Sequence, residues 1–217
     1  MSELFFKFAD VMLHLDVHLS STISEYGLWT YLILFIIIFC ETGLVVTPFL
    51  PGDSLLFAAG AFAGKEVLQL KILIPLLCIA GIIGDALNYS VGRYLGPKVL
   101  TTKSPFLKAD YLAKTQRFYE RYGGKTIIIA RFIPIVRTFA PFLAGVGQMN
   151  YSRFGIFNIA GAILWVVTFC VSGFYFGNIP LVRKNFTLVI LAIIVISVLP
   201  ALFEAVRNRK TPAKHLV

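Results

Sequence analysis

Six apolar stretches, joined by polar segments, make up most of this chain. A helical run of about 18 or more apolar residues is long enough to cross the ~30 Å hydrocarbon core of a bilayer. Of the 217 residues, 58% are hydrophobic and only 14% are charged, whereas a soluble domain carries about 25% charged residues. The chain is therefore predicted to be an all-α integral membrane protein with a single domain over residues 1–217. The apolar runs lie near residues 23–40, 44–64, 70–92, 126–148, 154–177 and 186–206.

Two of the six runs combine helix-breaking residues with charges. Irregular backbone at membrane depth is tolerated only where protein or a water-filled cavity surrounds it. We therefore predict two opposed re-entrant helical hairpins, over residues 42–64 and 124–149, which face each other and line a site. The residues that indicate the breaks are Pro48, Pro51, Gly52 and Asp53 in the first hairpin, and Arg131, Pro134, Arg137 and Pro141 in the second.

The distribution of basic residues distinguishes six spans from four. The segment from Arg93 to Arg121 and the tail at residues 207–217 are both basic. Six spans would place them on opposite sides, but Lys and Arg are enriched in cytoplasmic loops. We therefore predict about four transmembrane helices, with both termini in the cytoplasm. The net charge of +9 is attributed to this orientation and to contact with anionic phospholipids, not to nucleic acid.

Two further segments are predicted to be amphipathic helices at the membrane interface. Residues 1–20 place Lys7, Asp10 and His14 at helical spacing against apolar residues. Residues 107–122 carry a basic face beside an aromatic face, which is typical of a cytoplasmic helix that lies on anionic lipid.

Small and aromatic residues recur at the same spacing in the two halves of the chain. A repeat whose hairpins enter from opposite faces is the plan of many secondary transporters, although small residues also recur by chance in membrane helices. An inverted repeat is predicted. It rests on Gly60 followed by Tyr89 and Gly92, and on Gly145 followed by Phe174 and Gly177.

Four ionisable residues in or beside the broken runs are the candidate functional residues. An ionised carboxylate at depth costs at least ~2.5 kcal/mol, so Glu41 and Asp53 require a partner or a proton. Arg131 and Arg137 of the second hairpin are the expected partners. A guanidinium group binds two oxygens of a phosphate at once. A carboxyl group in an apolar site has a raised pKa and is therefore able to carry a proton. The alternative interpretations are a structural ion-pair network, or a Glu41 that lies at the interface.

Six residues near these four are predicted to support the site. Asp85 and Tyr89 share one helix face, although the glycines around them also indicate ordinary helix packing. Trp165 is interpreted as either a site residue or a packing residue. His14 and His18 have metal-ligand spacing without further ligands, so no metal site is predicted. The supporting residues are Pro51, Gly52, Asp85, Tyr89, Pro134 and Thr138.

The motifs of common enzymes are absent from the sequence: there is no phosphate-binding loop, dinucleotide fingerprint, nucleophile elbow or zinc-protease motif. We therefore predict a protein without cofactor that is not an enzyme. Three alternatives stay open. They are an enzyme that acts on lipid phosphates through Asp85 or Asp53, a proton-driven exporter of cations or drugs, and an uncoupled phospholipid scramblase.

Several of these motifs together resemble the DedA family, within the wider group of VTT or SNARE-associated membrane proteins, over nearly the whole chain. The resemblance implies two opposed re-entrant hairpins and a bacterial inner-membrane location. It also implies that Glu41, Asp53, Arg131 and Arg137 are the functional residues. The matching stretches are Phe39 to Gly43, Pro48 to Ser54, Gly84-Asp85 with Tyr89 and Gly92-Arg93, Gly123 to Lys125, and Ala130 to Thr138.

The same resemblance implies transport in envelope lipid physiology. Recycling of undecaprenyl phosphate is the leading expectation, and homeostasis that depends on the proton motive force is the older one. The predicted function is therefore an inner-membrane flippase for a lipid phosphate. Arg131 and Arg137 would bind the phosphate, and Glu41 and Asp53 would couple its movement to protons or sodium. A homo-oligomer is compatible with these patterns.

Overall fold

The computed structural model describes residues 15–44, 52–101, 124–193 and 195, and within these ranges the chain is helical without a strand. The all-α prediction is confirmed for this part. The helices are α1 Leu15–Tyr26, α2 Trp29–Gly43, α3 Gly52–Ala63, α4 Leu70–Thr101, α5 Lys125–Ala130, α6 Pro134–Val146, α7 Tyr151–Phe176 and α8 Pro180–Lys184, and residues 186–193 are helical again.

Some predictions fall outside the described residues. These are Pro51, the interfacial helix at 107–122, the basic tail at 207–217 and the first 14 residues of the N-terminal helix. Helix α1 continues past the expected end of that N-terminal helix at residue 20 and reaches Tyr26. It then stops at Gly27, which has a positive φ of 52°. The apolar run that starts near residue 23 is therefore divided between two helices.

Within the part of the chain that the structure describes, two helices are long and apolar enough to cross a membrane. They cover Leu70–Gly96, with 27 residues, and Tyr151–Phe176, with 26 residues. At ~1.5 Å per residue, each is about 40 Å long. They coincide with two of the four predicted spans. Helix α2 has only 15 residues, and the predicted span at 186–206 lies largely outside the described residues.

The two long helices bury polar side chains and expose apolar ones. Asp85 and Asn88 on α4 and Asn158 on α7 are buried. This reverses the pattern of a soluble protein, where such residues face water. The outer faces therefore suit lipid, and the polar residues face the interior as expected within a bilayer. The exposed residues include Ile72, Ile79, Ile83 and Leu87 on α4, and Ile156, Ile159, Ile163 and Leu164 on α7.

Helix α2 runs parallel to α4 and ends beside its middle. At one end, the backbone N–H of Gln69 donates a hydrogen bond of 2.7 Å to the Tyr31 hydroxyl. At the other end, a Cβ built on Gly43 would lie 3.3 Å from the Cα of Gly84. The C-terminus of α2, with Glu41, is therefore held at mid-length of the long helix.

Helix α3 runs in the opposite direction, parallel to α7. Phe57 of α3 meets Gly173, and Ala61, one turn later, meets Gly177. Helices α4 and α7 are antiparallel, because the Cys78 thiol contacts the Ala162 carbonyl and the Asn158 amide contacts the Ile82 carbonyl. Helix α3 is therefore antiparallel to both α2 and α4.

The second half repeats this arrangement upside down. Helix α5 runs parallel to α7, since Gly124 lies against Phe157 and Ile128 lies against Gly161. Helix α6 runs parallel to α4, since Phe142 lies against Gly92 and Val146 against Gly96. Helices α5 and α6 are therefore antiparallel to each other, as α2 and α3 are, and the second arm of each pair packs on the long helix of the other half.

The close contacts between helices recur in both halves of the chain. Their spacing differs by one helical turn from the spacing that the sequence pattern predicted. Gly60 meets the Cys170 carbonyl and Gly145 meets the Tyr89 carbonyl; a Cβ on either glycine would lie 2.1 Å from that oxygen. The packing counterpart of Tyr89 is therefore Cys170, whereas the sequence pattern matched Tyr89 with Phe174. Cys170 and Phe174 are four residues apart, which is about one helical turn. Both alignments therefore place the residue that matches Tyr89 on the same face of α7, and only the packing shows which alignment is correct.

Candidate functional site

Five ionisable side chains meet where the two helix pairs converge beside the middle of α4 and α7. They come from the end of α2, the start of α3, the middle of α4, the α5–α6 junction and the first turn of α6. Each exposes at most 4% of its surface. Charged side chains are almost never this deeply buried unless they are paired. The five residues are Glu41, Asp53, Asp85, Arg131 and Arg137.

Arg137 holds both acids of the first half. Its Nη1 donates to Asp53 Oδ1 at 2.8 Å, and its Nη2 donates to Glu41 Oε1. The backbone N–H of Gly52 donates to the same Glu41 oxygen at 3.1 Å. A Cβ on Gly52 would lie only 1.9 Å from Glu41 Oε2, so this position has no room for a side chain. We call Arg137, Glu41 and Asp53 the Arg137 cluster.

Arg131 pairs with a different acid. It follows α5, where the helix breaks before Pro134, and its Nη2 donates to Asp85 Oδ2 at 2.5 Å. The same nitrogen donates to Asn158 Oδ1. The expectation that Glu41 and Asp53 would meet both arginines is therefore wrong for Arg131. We call Arg131, Asp85 and Asn158 the Arg131 cluster.

Two glycines explain why Arg131 points to Asp85. A Cβ on Gly81 of α4 would lie 3.3 Å from Arg131 Nη1, and a Cβ on Gly161 of α7 would lie 3.0 Å from Arg131 Cδ. The arginine side chain thus occupies the space that these two glycines leave between the long helices. The Arg131 side chain therefore extends between the long helices to α4, whereas Arg137, on α6, contacts residues of α2 and α3.

Trp165 touches both clusters. Its indole N–H donates to Asp53 Oδ1 at 2.7 Å. The Arg137 guanidinium carbon lies 4.8 Å from the ring centroid, and that of Arg131 lies 5.9 Å from it. Trp165 lies at about the midpoint of α7, so the site is at half the length of the membrane helix.

Some polar atoms of the site have no hydrogen-bond partner among the described residues. The Arg131–Asp85 pair has both donors and an acceptor among them, and the Arg137–Glu41 pair has one acceptor. With three carboxylates and two guanidinium groups, the site has a formal charge of −1 when all five are ionised. Unpaired buried polar atoms are costly and are typical of places that take a ligand, a proton or water. The atoms are Nε and Nη1 of Arg131, Oδ1 of Asp85 and Oε2 of Glu41.

The remaining predicted residues lie around this centre. Tyr89 donates its hydroxyl hydrogen to the Met149 carbonyl and stacks on Phe154, with ring centroids 4.3 Å apart, so it fixes the start of α7. The Thr138 carbonyl accepts a 2.8 Å hydrogen bond from the Asn88 amide. Pro134 occupies the first turn of α6, where its missing N–H costs nothing.

Asn88 and Asn158 were not predicted as site residues, and the sequence left Trp165 undecided between a site role and packing. Asn88 also donates to the Thr42 carbonyl at 3.3 Å, so it links α4 to both α2 and α6. The available signal was an amide side chain within an apolar run, where polar residues require an internal partner. In the described part of the chain, His, Cys, Asp and Glu do not form a group of three that could hold a metal ion.

The sequence is similar to that of a known family of proteins. The sequence profile of the VTT domain matches residues 50–175, which include four of the five buried ionisable residues. Over 215 residues the chain is 52% identical to Protein DedA of Escherichia coli K12, covering 98% of each chain. This chain belongs to the DedA family.

Two further relatives are membrane proteins by name. The chain is 42% identical over 175 residues to an uncharacterised membrane protein of Mycobacterium tuberculosis, with 79% of this chain and 77% of that one covered. It is 35% identical over 155 residues to the inner membrane protein YqjA of E. coli, with 71% and 70% covered. No solved structure matches the chain.

Proposed function

We propose that this DedA-family protein moves a lipid phosphate between the leaflets of the bacterial inner membrane and couples the movement to protons. The observation that carries the proposal is the buried pair of arginines at mid-length of the spanning helices, with N–H groups of Arg131 that lack a partner among the described residues. Guanidinium groups match the geometry of phosphate oxygens. Undecaprenyl phosphate is the substrate that we expect.

Aromatic residues at both ends of the long helices support this placement in the bilayer. Tyr and Trp favour the two membrane interfaces. At one end, Trp29 and Tyr175 are exposed; at the other, Tyr94 and Tyr151 are exposed. The distance along α7 from Tyr151 to Tyr175 is ~36 Å at 1.5 Å per residue. The Arg137 and Arg131 clusters would then lie near the midplane.

In this arrangement the two antiparallel helix pairs are re-entrant hairpins whose tips meet at the site. The second hairpin is α5 with α6, within the predicted range of 124–149. For the first, we propose α2 and α3 as its arms, because α2 ends beside the middle of α4. This differs from the predicted range of 42–64, which treated α2 as a full span. Broken helices that enter from opposite faces are common at transporter binding sites.

The charges of the site suggest how protons would be coupled. Phosphate oxygens bind the free N–H groups of Arg131 and then compete with Glu41 and Asp53 for Arg137. Each carboxylate that loses its arginine is left buried without a counter-charge, so it takes up a proton. The proton offsets the charge of the phosphate, and both cross together. The lipid chain stays in the surrounding bilayer.

The packing also suggests which bodies would move. Helix α3 is held against α7 by Gly60 and Gly173, while α6 is held against α4 by Gly92 and Gly145. Each body thus contains one long helix and one hairpin arm from the other half. Rocking between the two bodies would open the site to one leaflet at a time. With all five ionisable residues buried, the structure corresponds to an occluded state in this scheme.

The test is the rate at which labelled undecaprenyl phosphate changes leaflet in proteoliposomes, with and without a pH gradient. We expect fast movement that responds to the gradient, and loss of movement in Arg131→Ala. Glu41→Gln should respond less to the gradient than wild type, because only Asp53 is left to take up a proton. Arg153→Ala, which removes an exposed arginine, is the matched control and should behave as wild type. Movement no faster than in empty liposomes would refute the proposal.

One observation favours a second candidate function. The site contains one more carboxylate than guanidinium groups, and a surplus acid is what a proton-driven cation exporter requires. In that case a cation would exchange for a proton at Glu41 or Asp53, and lipid phosphate would have no effect. Proton release that depends on added cation, in proteoliposomes free of lipid phosphate, would favour this alternative.

Two other classes give different results in the same system. A scramblase would move ordinary labelled phospholipids at a rate that ignores the gradient. An enzyme acting on lipid phosphates would release inorganic phosphate from a solubilised sample. We expect neither.

A further inference from the structure

Trp165 differs in its surroundings from the only other tryptophan of the chain. Trp29 exposes 67% of its surface at the start of α2, whereas Trp165 exposes 0%. A buried tryptophan usually packs against apolar side chains. Trp165 belongs to the buried apolar core, but its ring also has the two buried guanidinium groups near it and a carboxylate at its N–H.

The indole N–H and the Arg137 guanidinium bind the same oxygen of Asp53. The distances to Asp53 Oδ1 are 2.7 Å from Trp165 Nε1 and 2.8 Å from Arg137 Nη1. Two donors from different helices fix the carboxylate in position and direction. Hydrogen bonds to an ionised carboxylate are stronger than neutral ones and stabilise its charged form.

The ring face lies beside both positive charges. A guanidinium group within about 6 Å of an indole centroid is attracted to the ring, and the attraction is larger where water is excluded. Arg137 and Arg131 both meet this distance criterion. Trp165 thus lies next to both the Arg137 cluster and the Arg131 cluster.

We propose that Trp165 is a positioning residue that joins the two arginine clusters into one phosphate site. Its N–H holds Asp53 against Arg137, and its ring keeps the two guanidinium groups at a spacing that lets one phosphate reach both. This inference rests on the proposed function. It goes further by assigning a role to a residue that the motifs of the family resemblance do not include.

Two substitutions separate the two roles of the side chain. Trp165→Phe keeps an aromatic face and removes the N–H, whereas Trp165→Leu removes both. We expect Trp165→Phe to raise the half-saturating concentration of undecaprenyl phosphate by at least about tenfold, the low end for one lost hydrogen bond to a charged group, with a smaller change in maximal rate. Trp165→Leu should abolish transport. Trp29→Phe is the matched control and should transport as wild type.

A spectroscopic measurement avoids any change at Trp165. In Trp29→Phe protein, Trp165 is the only tryptophan, so its emission reports on the site directly. Titration with undecaprenyl phosphate in detergent should change the emission intensity saturably, whereas undecaprenol, which has the same chain without the phosphate, should not. The half-point of the titration should follow the half-saturating concentration for transport.

The outcomes distinguish this inference from the proposed function. If wild-type protein transports the lipid and Trp165→Phe has the same half-saturating concentration, the role of Trp165 is refuted while the proposed function stands. Emission that ignores the lipid at concentrations that saturate transport refutes the role equally. If wild-type protein neither moves the lipid nor responds to it, both proposals are overturned.

Discussion

The Asp85–Arg131 ion pair gives a stability prediction that does not depend on transport. Arg131 exposes 1% of its surface, as does Asp85, and Asp85 is its salt-bridge partner at 2.5 Å. Removal of one member of a buried pair leaves an uncompensated charge, which costs about 3–5 kcal/mol. For a chain of this size, 1 kcal/mol corresponds to about 2–4 °C in Tm. Asp85→Leu should therefore lower the apparent Tm by roughly 6–20 °C.

The double variant provides the control for this reasoning. Asp85→Leu with Arg131→Met removes both charges, and replacement of a buried pair by apolar residues is often neutral or stabilising. The double variant should recover most of the lost stability, although it should not transport. The apparent Tm of both variants and of wild type is measured by heating samples in one detergent and then quantifying the folded protein by size-exclusion chromatography. Equal losses in the single and double variants, or a single-variant loss below about 2 °C, would refute the assignment of Arg131 to Asp85.

Three further predictions concern other parts of the molecule. Gly173→Leu should strongly lower the melting temperature, because a Cβ at this position would lie 1.9 Å from a backbone carbonyl oxygen of α3. Gly155→Ala is the control: nothing lies within 4 Å of a Cβ there, so it should keep the wild-type melting temperature. Transport by Glu41→Gln should respond less to an imposed pH gradient than wild-type transport, because only Asp53 is left to take up a proton. A response equal to that of wild type would contradict the proton role of Glu41. Asn88→Ala should lower stability by about 1–3 kcal/mol, because it removes the two hydrogen bonds that link α4 to α2 and to α6. Denaturation in detergent would measure the loss, and unchanged stability would refute this link.

The long helices and most of the buried ionisable residues were predictable from the sequence for physical reasons. Apolar length alone marks α4 and α7. Charges within broken apolar runs mark Asp53, Arg131 and Arg137, because such residues need partners inside a membrane. Each of these signals is contained in a short stretch of the sequence and does not depend on the depth of the helix in the membrane.

The partner of each arginine depends on helix depth and on glycine contacts, which the sequence pattern does not contain. Arg131 reaches Asp85 because Gly81 and Gly161 leave space between the long helices. The length of α2 was overestimated because the positive φ of Gly27 divides an otherwise continuous run. Trp165 was ambiguous because a buried indole at mid-span suits packing as well as a site.

Simultaneous measurement of lipid and proton movement would decide whether the buried charges couple the two. Proteoliposomes with a pH-sensitive dye inside and labelled undecaprenyl phosphate in one leaflet would start without a pH gradient. We predict that the lipid moves down its own gradient and that the lumen changes pH in step with it, with both signals lost in Arg131→Ala. Lipid movement without any change in lumen pH would contradict the proposed coupling through Glu41 and Asp53.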